Sequence, residues 1–478
     1  MEDYRRHLDR GFNWLGGAAV IARIVDLCCI LIVLLYLTKE EVGVAALVVS
    51  LGSMIDALDG LGTGDALVQA SAVTARQRDT VFWFNIATAL LVAALTAAFA
   101  PLAATLFGAA GMAGYLTLVA VKQPVTALAV VPVAMLNRTL AYERIALINV
   151  TASLVSATTR AGLAVAGGGA WALVAAYAAH GLVLTIGAWI ASPFRPHLCF
   201  DWRAIRPLVR FGMGSASSNL FEQMFKNIDF LLIGWFYGPA PLAIYRVAFD
   251  LAMEPAMAVS TLIHRTALPV FARVAAQADK LAAALTWSLG RIASLVAPLT
   301  AGLVLAADPL MQLLHDSDGH SYAAAALPLK ILATAALLRV ALQLMMPVLI
   351  GSGRPGVAAR LSALTLLLLS GGILAACLLF PVPDGIVAAS LVWLLVYPPL
   401  MLWGVLYVKR HWSLRLQSLL QAFIVPLAGM AALLIMVKTA QVVAGGDART
   451  LAIIVAGATL ATYGGQYLWS RRALQAPA

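Results

Sequence analysis

The stretch Phe12–Gln69, FNWLGGAAVIARIVDLCCILIVLLYLTKEEVGVAALVVSLGSMIDALDGLGTGDALVQ, decides the fold. It reads as two long apolar helices, about 12–37 and 42–69, joined by Thr38-Lys39-Glu40-Glu41. Both helices carry charges in their interior, Arg23 and Asp26 in the first and Asp56 and Asp59 in the second. An ionised side chain at bilayer depth costs a few kcal/mol or more, so charges are kept there where they face water or a partner. A similar helix pair with its own deep charges recurs about 200 residues later. The chain therefore reads as two related halves facing each other across a polar cavity within a membrane.

Composition supports the membrane. Of 478 residues 62% are hydrophobic and 11% charged, and mean hydropathy is +0.90, against about 25% charged residues in an ordinary soluble domain. A bilayer core about 30 Å thick takes about 20 apolar residues per helix, and runs of that length exclude an outer-membrane barrel of short alternating strands. The first apolar run is too long for a signal-peptide core and has no small-x-small cleavage site, so it is expected to stay in the mature chain. Cys28 and Cys29 fall in the first span, Cys377 in the eleventh and Cys199 in a basic loop, which gives neither a disulfide framework nor a CxxC metal site.

Helices are expected at about 12–37, 42–69, 80–106, 114–136, 145–166, 170–192, 210–236, 241–264, 286–306, 323–350, 357–380, 384–408, 416–438 and 450–470, with Gly and Pro clusters at the joints. Arg5, Arg6, Arg10, Arg76, Arg78, Arg138, Arg144, Arg354 and Arg360 are among the many cations on the side of the amino terminus, whereas the other side has Lys39, Lys438 and Arg449. The positive-inside rule then puts both termini in the cytoplasm, which requires an even number of spans. The net charge of +10 follows from this topology. No segment is long enough for a soluble basic domain, so nucleic acid is excluded as a partner.

The two halves echo one another. Ala100-Pro101-Leu102 to Gly108 matches Asp308-Pro309-Leu310 to Asp316, and Val131-Pro132-Val133 leading to Arg138 and Arg144 matches Met346-Pro347-Val348 leading to Arg354 and Arg360. The expected fold is an all-α integral membrane protein of fourteen transmembrane helices: two six-helix bundles in a parallel pseudo-twofold repeat plus two C-terminal helices. The segments are 1–193, a cytoplasmic linker at 194–210 that tethers the halves on the inner surface, 211–408, and 409–478.

The span count of six plus six plus two, with Asp59-Gly60-Leu61-Gly62 to Ala66-Leu67-Val68-Gln69 closing the second span and Asn137-Arg138 to Arg144-Ile145-Ala146-Leu147-Ile148 on the cytoplasmic side, resembles one known branch. That branch is the polysaccharide transporters (Wzx-type lipopolysaccharide biosynthesis proteins) of the multidrug/oligosaccharidyl-lipid/polysaccharide exporter superfamily. The resemblance implies flipping of an undecaprenyl-pyrophosphate-linked glycan from the inner to the outer leaflet of the bacterial cytoplasmic membrane, without ATP hydrolysis or a cofactor. It implies an O-antigen, capsule or exopolysaccharide pathway, with polymerase and export machinery and membrane lipids as partners.

Independently of that resemblance, Glu222, Lys226 and Asp229 are spaced i, i+4, i+7 on the seventh span, and Arg246, Asp250 and Glu254 i, i+4, i+8 on the eighth, so each set shares a face. Together with Arg23, Asp26, Asp56 and Asp59 they read as the lining of a lumen, with Arg23, Lys226 and Arg246 as the substrate's cationic contacts. The alternative for these charges is structural ion pairing between packed helices. Three cations against seven carboxylates leave an excess of acid on those four helices. Either several carboxylates carry protons, or a cation is bound, or Lys122, Arg160, Arg291, Lys330 and Arg339 also face the lumen; the excess suggests coupling to H+ or Na+, with Asp26, Asp56 and Asp250 as the leading carriers. The seven histidines show no metal-ligand spacing. Two other function classes compete: a cation-coupled multidrug antiporter of the same superfamily, which usually has twelve spans, and a membrane-embedded glycan polymerase or ligase, which needs a larger outer loop than the one at about 307–322.

Overall fold

A computed structural model describes residues 32–109, 111–274 and 277–411, single positions at 25 and 29, and scattered positions between 424 and 462. Arg23, Asp26, most of the 12–37 helix and most of the expected spans at 416–438 and 450–470 lie outside the described residues. Within them the chain is helical and no strand occurs. Among the described residues seven helices are long and apolar enough to cross a membrane, or eight if Met112–Ala127 and Val130–Arg138, bent by 44°, form one span. Their bounds follow the hydropathy of the sequence closely: Lys39–Gln69, Ala75–Leu106, Trp171–Ala191, Asp279–Leu313, Ala323–Gly351, Gly356–Leu379 and Asp384–His411. Tyr142–Val165, Trp202–Tyr237 and Pro239–Val274 are as long but more polar.

The start signals are local. At the 38–41 joint the Thr38 hydroxyl accepts from the Glu41 amide at 3.2 Å while the Glu41 carboxylate accepts from the Thr38 amide at 2.9 Å, a capping box that starts the Lys39–Asp56 helix. Thr74 and Gln77 repeat the device at the start of Ala75–Leu106. The Arg138 guanidinium donates to the carbonyls of Leu67 at 2.6 Å and Ala70 at 2.5 Å, so a cation closes the otherwise unsatisfied C-terminus of Thr63–Gln69.

The chain divides into two compact units, 1–243 with 316–318, and 244–315 with 319–478. In the first, Tyr142–Val165 packs on Trp171–Ala191, Ala75–Leu106 on Met112–Ala127, and Lys39–Asp56 against Met112–Ala127, Trp171–Ala191 and Trp202–Tyr237. Leu67, Val81, Phe82, Val131, Phe194, Ile205 and Val209 form one of its cores, while Leu90, Leu91, Leu95 and Phe99 stay exposed along Ala75–Leu106, as a lipid-facing helix requires. In the second unit Ala326–Gln343 packs on Ala278–Leu313 and on Asp384–His411, which also holds Pro355–Leu379. The echoed segments fold alike. Pro101 and Pro309 sit near the ends of Ala75–Leu106 and Ala278–Leu313, and Pro132 and Pro347 sit in short helices, Val130–Arg138 and Met345–Gly351, that follow a break in the preceding helix.

The second expected span is broken in its interior. Lys39–Asp56 ends, a single 3-10 turn follows at Asp59–Gly62, and Thr63–Gln69 resumes. Gly60, Leu61 and Gly62 have φ of 59°, 46° and 69°, a left-handed run that costs an ordinary residue such as Leu61 roughly 1–2 kcal/mol. Gly62 is required for a second reason, because a Cβ there would stand 2.1 Å from the carbonyl oxygen of Gly212 on Trp202–Tyr237. We expect Gly62→Ala to lower the thermal midpoint far more than Gly108→Ala, which has the same sign of φ at 62° but open space around it, while Gly214→Ala, helical and open, leaves it unchanged or raised. Detergent-solubilised thermal unfolding reads the series; equal losses at positions 62 and 108 would show that the close backbone approach does not matter.

Candidate functional site

The break places two carboxylates beside a buried cation. Asp56 is the last residue of Lys39–Asp56 and Asp59 opens the 3-10 turn. From Met112–Ala127 the Lys122 ammonium reaches Asp56 Oδ2 at 2.5 Å and the Gln123 amide donates to Asp56 Oδ1 at 2.7 Å. From Trp171–Ala191 the Tyr177 hydroxyl donates to the same Asp56 oxygen as Lys122, and the Tyr177 ring lies 4.2 Å from the Lys122 nitrogen, a cation–π contact. Thr126, one turn beyond Lys122, donates to Asp59 at 3.3 Å. The Lys122 side chain is 5% exposed and that of Asp56 30%. One carboxylate is thus saturated by three donors from two neighbouring helices, and its remaining exposure gives it a route to water. Such a cluster holds a buried ammonium against a carboxylate whose oxygens are taken up by donors from both helices.

The other predicted residues fall into place differently. In the first unit, Lys226 pairs with Glu222 one turn back at 2.6 Å, with both side chains well exposed, whereas Asp229 is buried and Arg160 half-buried. In the second, Arg246 pairs with Asp250 at 2.7 Å along its own helix, Glu254 is half-buried and Arg291 exposed. Lys330 pairs with Asp308 at 2.6 Å. The pairs Lys226–Glu222 and Arg246–Asp250 therefore neutralise charge within a helix, and Lys122–Asp56 does so between helices. Lys122 moves from a spare cation in the sequence reading to the centre of the cluster.

Arg339 matches Lys122 across the repeat. It is 4% exposed on Ala326–Gln343, its guanidinium carbon 5.0 Å from the Trp393 ring of Asp384–His411 and its Nη1 3.9 Å from Met253 Sδ. Trp393 in turn donates to the Tyr245 hydroxyl at 2.8 Å. Each unit thus sets a buried cation from the helix before the short proline helix against an aromatic ring from the second long helix after it. Sequence reasoning missed Gln123, Thr126 and Tyr177; the adjacent polar pair Lys122-Gln123 in an apolar run was the signal available, while Tyr177 had none.

A second polar surface runs along Trp202–Tyr237. Ser215, Ser218, Asn219, Glu222 and Lys226 are spaced i, i+3, i+4, i+7, i+11 and so share a face; the last four are exposed, and Ser215 donates to Asp65. At 1.5 Å per residue the stripe is about 17 Å long.

The family model for polysaccharide biosynthesis proteins matches residues 34–323, which include this stripe and the Asp56 cluster. The chain belongs to the polysaccharide biosynthesis protein family. It is similar to the teichuronic acid biosynthesis protein TuaB of Bacillus subtilis (strain 168), 26% identical over 62% of this chain and 62% of that one. It is also similar to the succinoglycan biosynthesis transport protein ExoT of Rhizobium meliloti (strain 1021), 26% identical over 59% and 57%. The chain thus spans about six tenths of the length of these relatives. Among solved structures it resembles the lipid II flippase MurJ in an inward closed conformation, with a TM-score of 0.76 at 11% identity over 96% of this chain and 98% of that one. At that identity the likeness carries the fold alone, an all-α multi-span architecture, which agrees with the all-α fold expected from the sequence.

We expect Asp56→Asn and Lys122→Met each to lower stability, since each leaves a charged or polar partner buried without its complement, and the double variant to lose less than the sum, with a coupling of roughly 1–3 kcal/mol given the partial exposure of Asp56. A double-mutant cycle on thermal midpoints measures it. Strict additivity would show that the pair contributes nothing beyond its separate parts.

Proposed function

We propose that this protein moves an undecaprenyl-pyrophosphate-linked glycan from the inner to the outer leaflet of the bacterial cytoplasmic membrane by alternating access, for synthesis of a surface polysaccharide. The observation that carries the reading is the exposed hydroxyl, amide and charged stripe on Trp202–Tyr237 in a membrane protein of the polysaccharide biosynthesis family. Hydroxyls, an amide and a carboxylate suit sugars, and an ammonium at the end of the stripe suits a phosphate. Membership of that family, together with relatives named for teichuronic acid biosynthesis and succinoglycan transport, supports a glycan substrate and a carrier without catalytic chemistry of its own.

In this reading Lys226 and Arg246 hold the pyrophosphate or acidic sugars together with Arg23, with Arg160, Arg291 and Arg339 as further cations of the path, and Glu222, Asp229, Asp250, Glu254, Asp26, Asp56 and Asp59 serve as ion-pair or ion-coupling partners. An exposed i, i+4 pair is worth only about 0.3–0.5 kcal/mol. The Glu222–Lys226 pair therefore opens at little cost when a multiply charged headgroup competes for the ammonium, and closes again when it leaves. That exchange keeps the Lys226 ammonium neutralised with and without substrate. Two six-helix halves, two added C-terminal helices and cytoplasmic termini complete the proposed architecture, with H+ or Na+ as the coupling ion.

Lys226→Ala, Arg246→Ala and Arg23→Ala are each expected to abolish appearance of the polysaccharide at the cell surface while the protein remains in the membrane, and to leave drug susceptibility unchanged. Immunodetection of the polysaccharide on a strain carrying each variant in place of the wild-type gene measures this. Normal export from all three would contradict the proposed contacts, and a gain of drug sensitivity would favour the antiporter reading.

A further inference from the structure

The segment between Trp171–Ala191 and Trp202–Tyr237 is built to hold apolar and basic side chains outward. Its first anchor is Phe194, 5% exposed, whose ring sits 5.7 Å from Phe82 and 6.5 Å from Trp189. The Trp83 indole donates to the His197 carbonyl at 2.9 Å, and the Asp201 amide donates to the Thr80 hydroxyl at 3.1 Å. The Asp201 carboxylate takes Arg76 at 3.0 Å and caps Trp202–Tyr237 by accepting from the amides of Arg203 and Ala204. The Gln77 amide donates to the Ala204 carbonyl at 3.2 Å. Both ends of the segment are therefore pinned to the first turns of Ala75–Leu106.

Between the anchors, Leu198 is 90% exposed, Phe200 61% and Trp202 47%. Around them Arg195, Arg203, Arg206 and Arg210 are exposed, and the last three share a helical face turned away from the buried Ile205 and Val209. Asp201 is the segment's one carboxylate, and Arg76 and the helix start occupy it. Exposed leucine, phenylalanine and tryptophan within a cluster of arginines match the composition of a membrane interface, where rings and aliphatic chains enter the acyl boundary and guanidiniums hold phosphates. Ala191 ends a span of membrane-crossing length, so the segment begins at the bilayer boundary.

We propose that residues 195–210 form a rigid interfacial ledge that inserts Leu198 and Phe200 into the adjoining leaflet and binds anionic phospholipid headgroups through Arg203, Arg206 and Arg210. A rigid loop pays its ordering entropy in folding rather than on contact with lipid, so the ledge senses headgroup charge without rearrangement. This inference rests on the membrane fold and is independent of which substrate is carried.

The test uses the full chain with Cys28→Ala, Cys29→Ala, Cys199→Ser and Cys377→Ala, and with Leu198→Cys labelled by an environment-sensitive nitrobenzoxadiazole dye. It is reconstituted in phosphatidylcholine vesicles with or without phosphatidylglycerol. With phosphatidylglycerol present the dye is expected to shift to the blue, to be quenched roughly twofold more by brominated lipid, and to be protected from iodide. Arg203→Gln with Arg206→Gln should remove that difference and Arg203→Lys with Arg206→Lys should restore it; if the glutamine pair does not reconstitute, Arg210→Gln is read in the same way. A dye open to iodide in both vesicle types would overturn the ledge. Equal insertion in both vesicle types, or insertion indifferent to the glutamine pair, would overturn headgroup recognition.

Discussion

The first unit is organised around an ammonium that has nowhere else to go. Lys122 is buried in an apolar helix pair, and a lone ion there would cost far more than the margin by which a protein is stable. Its complement has to be supplied by a neighbouring element. Asp56 supplies the charge and Tyr177 the ring, while the Tyr177 hydroxyl and the Gln123 amide donate to Asp56 and hold it in place. These contacts fix the register of Lys39–Asp56 against Met112–Ala127 and Trp171–Ala191. The span must then turn immediately after Asp56, and the left-handed run at Gly60–Gly62, pressed on Gly212, is how it does so.

The same economy of charge holds elsewhere. Lys226 and Arg246 are neutralised by carboxylates on their own helices, and Arg339 lies against the Trp393 ring. The exposed Lys226–Glu222 pair opens cheaply, whereas the Asp56–Lys122 pair is held by several helices. The two kinds differ in what it takes to open them, the first a competing charge and the second a separation of packed helices.

Much of this was legible in the sequence. Apolar runs located the spans, because burial in a bilayer and helix length are set by the same physical dimension. Trp202–Tyr237, Pro239–Val274 and Asp279–Leu313, however, run seven to ten residues beyond the expected bounds, where the helices continue into polar sequence that hydropathy does not mark. The Pro101/Pro309 and Pro132/Pro347 echoes located segments that fold alike. Deep charges marked Asp56, Asp59, Glu222, Lys226, Arg246 and Asp250 as unusual, and the i, i+4 spacing showed which of them share a face. Which partner each meets across helices was not legible: Asp56 has Lys122 and Tyr177 as partners only through packing between segments 66 and 121 residues away. The break at 57–62 was also missed, although Asp59-Gly60-Leu61-Gly62 had been singled out, because hydropathy continues smoothly across it and only the left-handed dihedrals reveal it. Ser215, Ser218 and Asn219 passed unread because hydroxyls in a span usually bond back to their own helix.

The central claim is that these polar groups carry a lipid-linked glycan across an apolar barrier. Its most direct measurement is movement itself, in proteoliposomes loaded on one leaflet with a fluorescent polyprenyl-pyrophosphate glycan whose exposure on the other leaflet is followed with a membrane-impermeant quencher. The account predicts protein-dependent transfer for the wild-type chain and its loss, with the fold intact, when Glu222→Gln and Lys226→Met are combined. Transfer no faster than in protein-free vesicles, or unchanged in the double variant, would contradict it.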